Sequence, residues 1–114
     1  MKKLFMASVL ALCLSSCVTT KNMYSWYGYE DATYQFSKRQ TEELRDKVLT
    51  QYQKLIKEQK GTRGIVPPGM YAEYGYLLYK TGKKEEGIGF LKQEIELYPE
   101  SEKYISRIIK QLEK

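Results

Sequence analysis

The sequence predicts an all-α fold, and three stretches carry that prediction. Between residues 70 and 99, apolar side chains recur at helical spacing on both sides of Gly82, which indicates two helices folded against each other. Residues 41–60 and residues 101–112 each repeat their apolar side chains at near-helical intervals. We therefore expect one small domain, built as a helical hairpin flanked by amphipathic helices.

Residues 1–16 have the features of a cleaved secretory signal. Lys2 and Lys3 give a basic start, and the apolar run at residues 4–14 is shorter than the roughly 20 residues that a membrane-spanning helix needs. A Leu-Ser-Ser-Cys sequence ending at Cys17 follows, and it resembles the bacterial lipobox. This resemblance implies cleavage before Cys17 and acylation of the cysteine itself.

The position after the cysteine bears on the membrane to which such a lipoprotein is sorted. Val18 stands where an Asp favours inner-membrane retention in proteobacterial lipoproteins. Because no Asp follows the cysteine, the resemblance implies an outer-membrane lipoprotein on the periplasmic side. Two or more acyl chains would give it stable attachment. Residues 17–23 would then form the acylated cysteine and a tether, and residues 24–114 the helical domain. Since Cys13 leaves with the signal, no cysteine remains for a disulfide.

An aromatic segment opens the mature domain. Residues 24–36 are too rich in apolar and aromatic side chains for a disordered linker, and residues 30–38 fit a short helix. One interpretation is that these rings cover the exposed side of the hairpin, since a small domain without disulfides needs that apolar area. The other is an exposed aromatic patch for a partner or for glycan stacking, formed by Tyr24, Trp26, Tyr27 and Tyr29.

The next helix is expected over residues 41–60. Ser37 opens a capping-box pattern, Thr41 is a second candidate for the N-cap, and Gly61 is expected to end the helix. Acidic residues come early and basic residues late, an order that complements the helix dipole. These residues are Glu42, Glu43, Asp46, Lys54, Lys57 and Lys60.

Turn and stop residues delimit the two arms of the hairpin. The first arm, residues 70–81, follows Pro-Pro-Gly and ends before Gly82, which suits a left-handed helix end. The second arm, residues 84–98, ends at Pro99, which has no N–H to continue a helix. Gly75 lies on the apolar face of the first arm, where glycine costs about 1 kcal/mol relative to Ala. We expect it to allow the second helix to approach closely.

This hairpin resembles a tetratricopeptide repeat, a 34-residue helix–turn–helix unit. The matching residues are Tyr71, Tyr74, Gly75, Leu78, Gly82, Gly87, Ile88, Leu91 and Pro99. Two positions depart from the pattern, because Tyr71 stands where Trp is usual and Glu94 where a small residue is usual.

In such units the first helix lines the concave side that touches the ligand. The resemblance implies a partner-binding strip made of Ala72, Tyr76, Tyr79 and Lys80, and Tyr is common at protein interfaces. The alternative is that the aromatic N-terminal segment packs over this strip inside the same chain. The sequence leaves both interpretations open.

A last amphipathic helix is expected after Pro99, running to about Leu112. Ser101 is a good N-cap residue and Glu102 lies in the first turn. The helix would cover the open end of the hairpin, as the capping helix of a repeat array does.

Composition argues against catalysis and against nucleic acid. The chain has no histidine, the commonest general base and metal ligand, and an acylated Cys17 offers no thiol. We expect no enzyme, no metal site and no cofactor. The pairs Glu85/Glu86 and Glu94/Glu96 fit a solvated helix face better than an acid–base pair. A net charge of +5, part of it in the signal, is mild and interspersed.

Over nearly its whole length the chain resembles one family. The elements that carry the resemblance are the lipobox, the aromatic residues from Tyr24 to Glu30, the Gly82 turn and the Tyr98-Pro99-Glu100-Ser101 run. The most specific piece is Pro-Pro-Gly-x-Tyr-Ala-Glu-Tyr-Gly, which begins at Pro67. These features are similar to the small bacterial lipoproteins grouped as domain-of-unknown-function family 4810. The resemblance implies an outer-membrane lipoprotein with a tetratricopeptide-like body, and it implies no established activity or binding residues.

From these features we expect a non-enzymatic, lipid-anchored periplasmic adaptor that binds a protein partner. Members of the family tend to be encoded beside a lipoprotein similar to the curli-secretion pore, which is one candidate for that partner. The alternative is a binding module for cell-wall glycan or a small ligand, which would contact peptidoglycan through Trp26 and the tyrosines and regulate envelope assembly.

Overall fold

The computed structural model describes residues 22–114, and within them it forms five α-helices and no strand. The helices are α1 (Tyr29–Lys38), α2 (Glu42–Lys57), α3 (Met70–Lys80), α4 (Lys84–Leu97) and α5 (Glu102–Leu112), with a 3-10 turn at Pro99–Ser101. The predicted all-α hairpin with flanking helices is therefore confirmed. The expected signal at residues 1–16, Cys17 and most of the tether lie outside the described residues. Within residues 22–114, no helix combines the length and apolar character that crossing a bilayer requires.

The start and the end of α2 refine the sequence prediction. Thr41 is the N-cap, because its side-chain oxygen accepts the N–H of Leu44 at 3.2 Å. The Ser37 hydroxyl instead donates to the carbonyl of Tyr34 at 2.7 Å, so the predicted capping box does not form there. The helix ends at Lys57, earlier than predicted, because the Gln59 side chain turns back and donates to the carbonyl of Leu55 at 3.0 Å.

The turn between α3 and α4 is closed as the sequence predicts. Gly82 has a φ of 101°, a conformation that favours glycine. Its N–H donates to the carbonyl of Tyr79 at 3.2 Å, and the N–H of Lys83 donates to the carbonyl of Leu78 at 3.0 Å. These two bonds form a Schellman motif, which satisfies the last carbonyls of α3.

Two glycines bring α3 and α4 into backbone contact. A Cβ placed on Gly75 would lie 2.5 Å from the carbonyl oxygen of Gly87, and a Cβ on Gly87 would lie 2.5 Å from the oxygen of Gly75. No side chain fits between the helices at this point. The close approach predicted for Gly75 is confirmed, and Gly87 is its partner.

The main core lies where α2 packs against α3. It is built from Val48, Tyr52, Leu55, Val66, Met70, Tyr74 and Leu78. A line of aromatic rings crosses it, with centroid distances of 5.7 Å for Tyr29–Tyr52, 5.8 Å for Tyr52–Tyr74 and 4.7 Å for Tyr74–Phe90. This line joins four helices, and such ring pairs add to the stability that area burial provides.

Helix α5 packs on α4 and runs in the same direction as α3. Ile105 is its buried anchor, and the hydroxyl of Tyr79 near the end of α3 donates to the carbonyl of Leu112 at 2.7 Å. The sequence predicted that the Ser101 side chain caps α5, but it makes no such hydrogen bond. The Ser101 hydroxyl donates instead to the carbonyl of Tyr98 at 2.7 Å, within the 3-10 turn.

Candidate functional site

A groove of about 910 Å³ opens between α3 and α5. Both helices pack on α4, and side chains from each form the walls of the groove. Side chains of both helices line it: Ala72, Glu73, Tyr76 and Lys80 from α3, and Tyr104, Ile105, Ile108 and Leu112 from α5. The groove is therefore mostly apolar along its length and has charged groups toward its ends.

Three of the four residues of the predicted partner-binding strip line this groove. Ala72, Tyr76 and Lys80 fall on the same face of α3, and Tyr76 keeps 45% of its surface exposed. The Lys80 ammonium lies 5.6 Å from the centroid of the Tyr76 ring, a cation–π contact. Tyr79 lies elsewhere, since its hydroxyl is bonded to Leu112 and the Lys84 ammonium lies 5.6 Å from the centroid of its ring. It joins α3 to α5.

A buried carboxylate closes the bottom of one end of the groove. Glu94 is only 2% exposed, and its Oε1 accepts the N–H of Ala72 at 3.3 Å. Its Oε2 has no hydrogen-bond partner within residues 22–114. Gly69, the residue before α3, has no side chain to cap the helix, so Glu94 caps α3 from the neighbouring helix.

This position corrects the expectation that Glu94 and Glu96 share a solvated face. Glu96 is exposed, but Glu94 points into the hairpin. The signal in the sequence was its departure from the repeat pattern, which has a small residue there. A carboxylate replaces the small residue because α3 lacks a capping side chain of its own.

Burial makes the Glu94 carboxyl harder to ionise. It raises the pKa of Glu94, while the nearby backbone N–H groups of Ala72 and Gly69 lower it. The charges of Glu100 and Glu73 raise this pKa further. Both of those carboxylates also line the groove, so one end of it is acidic and the other carries Lys80.

Tyr29 links the groove to the core. Its hydroxyl donates to Glu73, at 2.8 Å from Oε2 and 3.1 Å from Oε1, while its ring packs on Tyr52. Burial and the neighbouring Glu73 raise the pKa of the Tyr29 phenol. Tyr29 was predicted as part of an aromatic patch, and the structure places it at the rim of the groove.

The rest of the aromatic segment packs across the end of α2. Both the N–H and the carbonyl of Ser25 are bonded to the Gln59 side chain at 2.8 Å, and the Tyr27 hydroxyl donates to the carbonyl of Glu58. The carbonyl of Met23 accepts the N–H of Arg63 at 3.1 Å. This segment therefore packs against α2 and its following loop, and it leaves Tyr76 open.

The four rings of the predicted patch differ in exposure. Tyr24 and Tyr29 are half-buried, whereas Trp26 and Tyr27 expose 42% and 43% of their surfaces. Trp26 packs between the other two, with centroids 5.9 Å from Tyr24 and 5.7 Å from Tyr29. Part of the patch is thus structural, and its outer edge faces solvent.

Comparison with known proteins identifies the family. A family model described as a domain of unknown function (DUF4810) matches residues 23–108. The chain belongs to this family, as its motifs predicted. No curated protein and no solved structure matches the chain. Across the described residues, no cluster of three or more acidic, His or Cys side chains is arranged to hold a metal ion.

Proposed function

We propose that this DUF4810 protein is a non-enzymatic periplasmic adaptor, anchored to the outer membrane by lipid on Cys17, that binds a segment of a protein partner between α3 and α5. The observation that carries the proposal is a groove with two apolar walls, held open by helices that pack on a common third helix. A lipoprotein that is similar to the curli-secretion pore and is encoded beside members of this family is one candidate for the partner.

The chemistry of the walls favours a polypeptide as the occupant. Tyr104 exposes 69% of its surface and Tyr76 exposes 45%, and large aromatic rings on an open face are typical of interaction sites. The 11 residues of α3 span about 16 Å, enough for about five extended residues or three helical turns of a partner.

The short tether supports a role close to the membrane. The carbonyl of Asn22 already accepts the N–H of Thr62 at 3.1 Å, so the fold is engaged five positions after Cys17. A chain of that length reaches at most about 17 Å. A lipid on Cys17 would therefore hold the groove near the membrane and raise its effective concentration toward a partner in the same membrane.

Crosslinking in cells tests the adaptor proposal. The full-length protein would be recovered after crosslinking as wild type, as Tyr76→Ala and as the control Tyr34→Ala. Tyr34 is 53% exposed on α1, outside the groove, so its loss removes a similar ring without touching the site. We expect one dominant envelope protein with wild type and Tyr34→Ala, and little of it with Tyr76→Ala.

The recovered partner would then be purified and its affinity measured. A central aromatic contact is worth about 1–2 kcal/mol, so Tyr76→Ala should weaken binding roughly tenfold and Tyr34→Ala should not. Equal recovery of the same partner by all three proteins would contradict the groove assignment.

The alternative is a glycan-binding module, and the exposure of Trp26 and Tyr27 is the observation that favours it. Exposed aromatic faces suit stacking on sugar rings, and these two residues adjoin in sequence. The test is sedimentation of delipidated protein with purified cell wall. Loss of sedimentation in Trp26→Ala, but not in Tyr76→Ala, would support this function over the adaptor.

A further inference from the structure

We infer that the groove selects a partner segment with a Lys or Arg side chain, whose cationic group binds at Glu94 while its apolar neighbours lie along α5. This inference rests on the proposed function and specifies the chemistry of the partner. It comes from three observations about the acidic end of the groove.

The first observation is a buried acceptor, unpaired within residues 22–114, on one of the residues that line the groove. Glu94 is 2% exposed and belongs to the groove lining, yet its Oε2 has no hydrogen-bond partner within the described chain. Buried polar atoms are almost always paired, since an unpaired one costs free energy. When Glu94 is ionised, its Oε2 can only accept hydrogen bonds, so the partner that it lacks in that state is a donor.

The second observation is the sign of the surrounding charge. Glu73 and Glu100 line the same end of the groove, and both raise the pKa of Glu94 through their charge. Lys80 is the only basic side chain among the described residues that line the groove. It lies eight positions after Ala72 on α3, about 12 Å away along the helix. The acidic end is therefore complementary to a positive charge supplied by the partner.

The third observation excludes an anion at the start of α3. A helix N-terminus ordinarily attracts negative groups, but here Glu94 already fills that place through the N–H of Ala72. A second negative group would meet three carboxylates. A Lys or Arg side chain avoids this conflict, and its aliphatic stem suits the apolar walls of the groove.

Peptide selection tests the inference. A displayed library of random 12-residue peptides would be selected against the full-length lipoprotein in detergent micelles as wild type, Glu94→Gln and Glu96→Gln. A Gln at position 94 still offers an oxygen to the N–H of Ala72, so it removes the charge and keeps the cap of α3. Glu96 is an exposed acid on the same helix and makes the matched control.

We expect wild type and Glu96→Gln to enrich peptides that carry Lys or Arg beside apolar residues. Glu94→Gln should lose that enrichment, and a selected peptide should bind it roughly tenfold more weakly. A second measurement uses only the wild-type protein, so it does not depend on how the variant folds. Replacing the selected Arg by citrulline, or Lys by norleucine, should weaken binding by a similar factor.

The outcomes separate the two proposals. The inference would be overturned if the selected peptides need Tyr76 but show no preference for Lys or Arg. It would also be overturned if Glu94→Gln selects Lys or Arg as strongly as wild type does. Either result would still agree with the adaptor proposal. If no selected peptide depends on Tyr76, both proposals fail. If purified cell-wall fragments bind the groove through Glu94 and peptides do not, a protein occupant is excluded.

Discussion

The two sides of α3 differ in how closely they are packed. On the side facing α4, Gly75 has no side chain, so the backbones of the two helices are in direct contact. This contact leaves no room for water or for a larger residue. On the side facing α5, the next residue in the chain, Tyr76, stands 45% exposed over an open groove. One helix thus provides a rigid support on one face and a surface free for recognition on the other.

The largest expected effect concerns the packed side, where two glycines of α4 offer a matched contrast. A Cβ at Gly87 would lie 2.5 Å from the oxygen of Gly75 and 2.8 Å from the nitrogen of Tyr79, whereas a Cβ at Gly89 would meet nothing within 4 Å. Gly87→Ala should lower the free energy of unfolding by about 1–3 kcal/mol. Gly89→Ala should raise it by about 1 kcal/mol.

Urea unfolding followed by circular dichroism measures both changes. Because the substitution is the same and both sites lie in α4, the difference isolates the contact with α3. Similar effects at the two positions would show that the helices separate easily, and the contrast between the two sides of α3 would be lost.

The next effect concerns the bond that joins the ends of α3 and α5. Tyr79→Phe removes the hydroxyl that donates to Leu112 and should cost about 1 kcal/mol of unfolding free energy. Tyr76→Phe is the control, since the described chain provides no partner for the Tyr76 hydroxyl, and it should change stability by less than about 0.5 kcal/mol. Equal costs in thermal unfolding would mean that Tyr79 is no more structural than Tyr76.

Acidification should reveal the buried carboxylate beneath the groove. The pKa of Glu94 is raised in the folded protein above its usual 4.5, so the folded state holds this proton more tightly than the unfolded chain. Glu94 therefore favours folding most at pH values below 4.5, and this contribution is lost as pH rises through the raised pKa. Glu73, Glu100, Tyr71 and Tyr98 are the other titratable groups around it.

The measurement is the melting temperature of wild type and Glu94→Gln from pH 4.5 to pH 8. Wild type should lose stability relative to Glu94→Gln as pH rises, because only wild type must ionise a buried group. Parallel curves would mean that the carboxylate is open to water, like its neighbour Glu96.

The smallest expected effect is on the open side. Tyr76→Ala and Tyr104→Ala remove exposed rings, 45% and 69% accessible, and should each change unfolding free energy by no more than about 0.5–1 kcal/mol. If either substitution lowers the free energy of unfolding as much as Gly87→Ala does, the groove walls belong to the core. That result would argue against the groove as a recognition surface.

Much of the fold follows from local signals. Gly82 and Pro99 delimit α3 and α4 because their backbone restrictions act within a few residues, whatever surrounds them. Predictions failed where a side chain bonds to a distant part of the chain. In the sequence, Gln59 falls at the helical spacing of the apolar residues of α2. Its side-chain amide instead binds Ser25, 34 positions away, and the helix ends at Lys57.

The candidate site divides in the same way. Ala72, Tyr76 and Lys80 were predicted from the resemblance to a tetratricopeptide repeat, and their spacing along α3 puts them on one face of the helix. Tyr79 was assigned to the same strip, but only the position of α5 shows that its hydroxyl is bonded to Leu112.

The sequence by itself determined the helices, their turn, the close contact at Gly75 and the family, because periodicity and backbone conformation are local properties. Only the tertiary structure decided that α5 lies parallel to α3 and makes a groove. It also decided that Glu94 is buried as the cap of α3, because burial and hydrogen bonding depend on which distant segments meet.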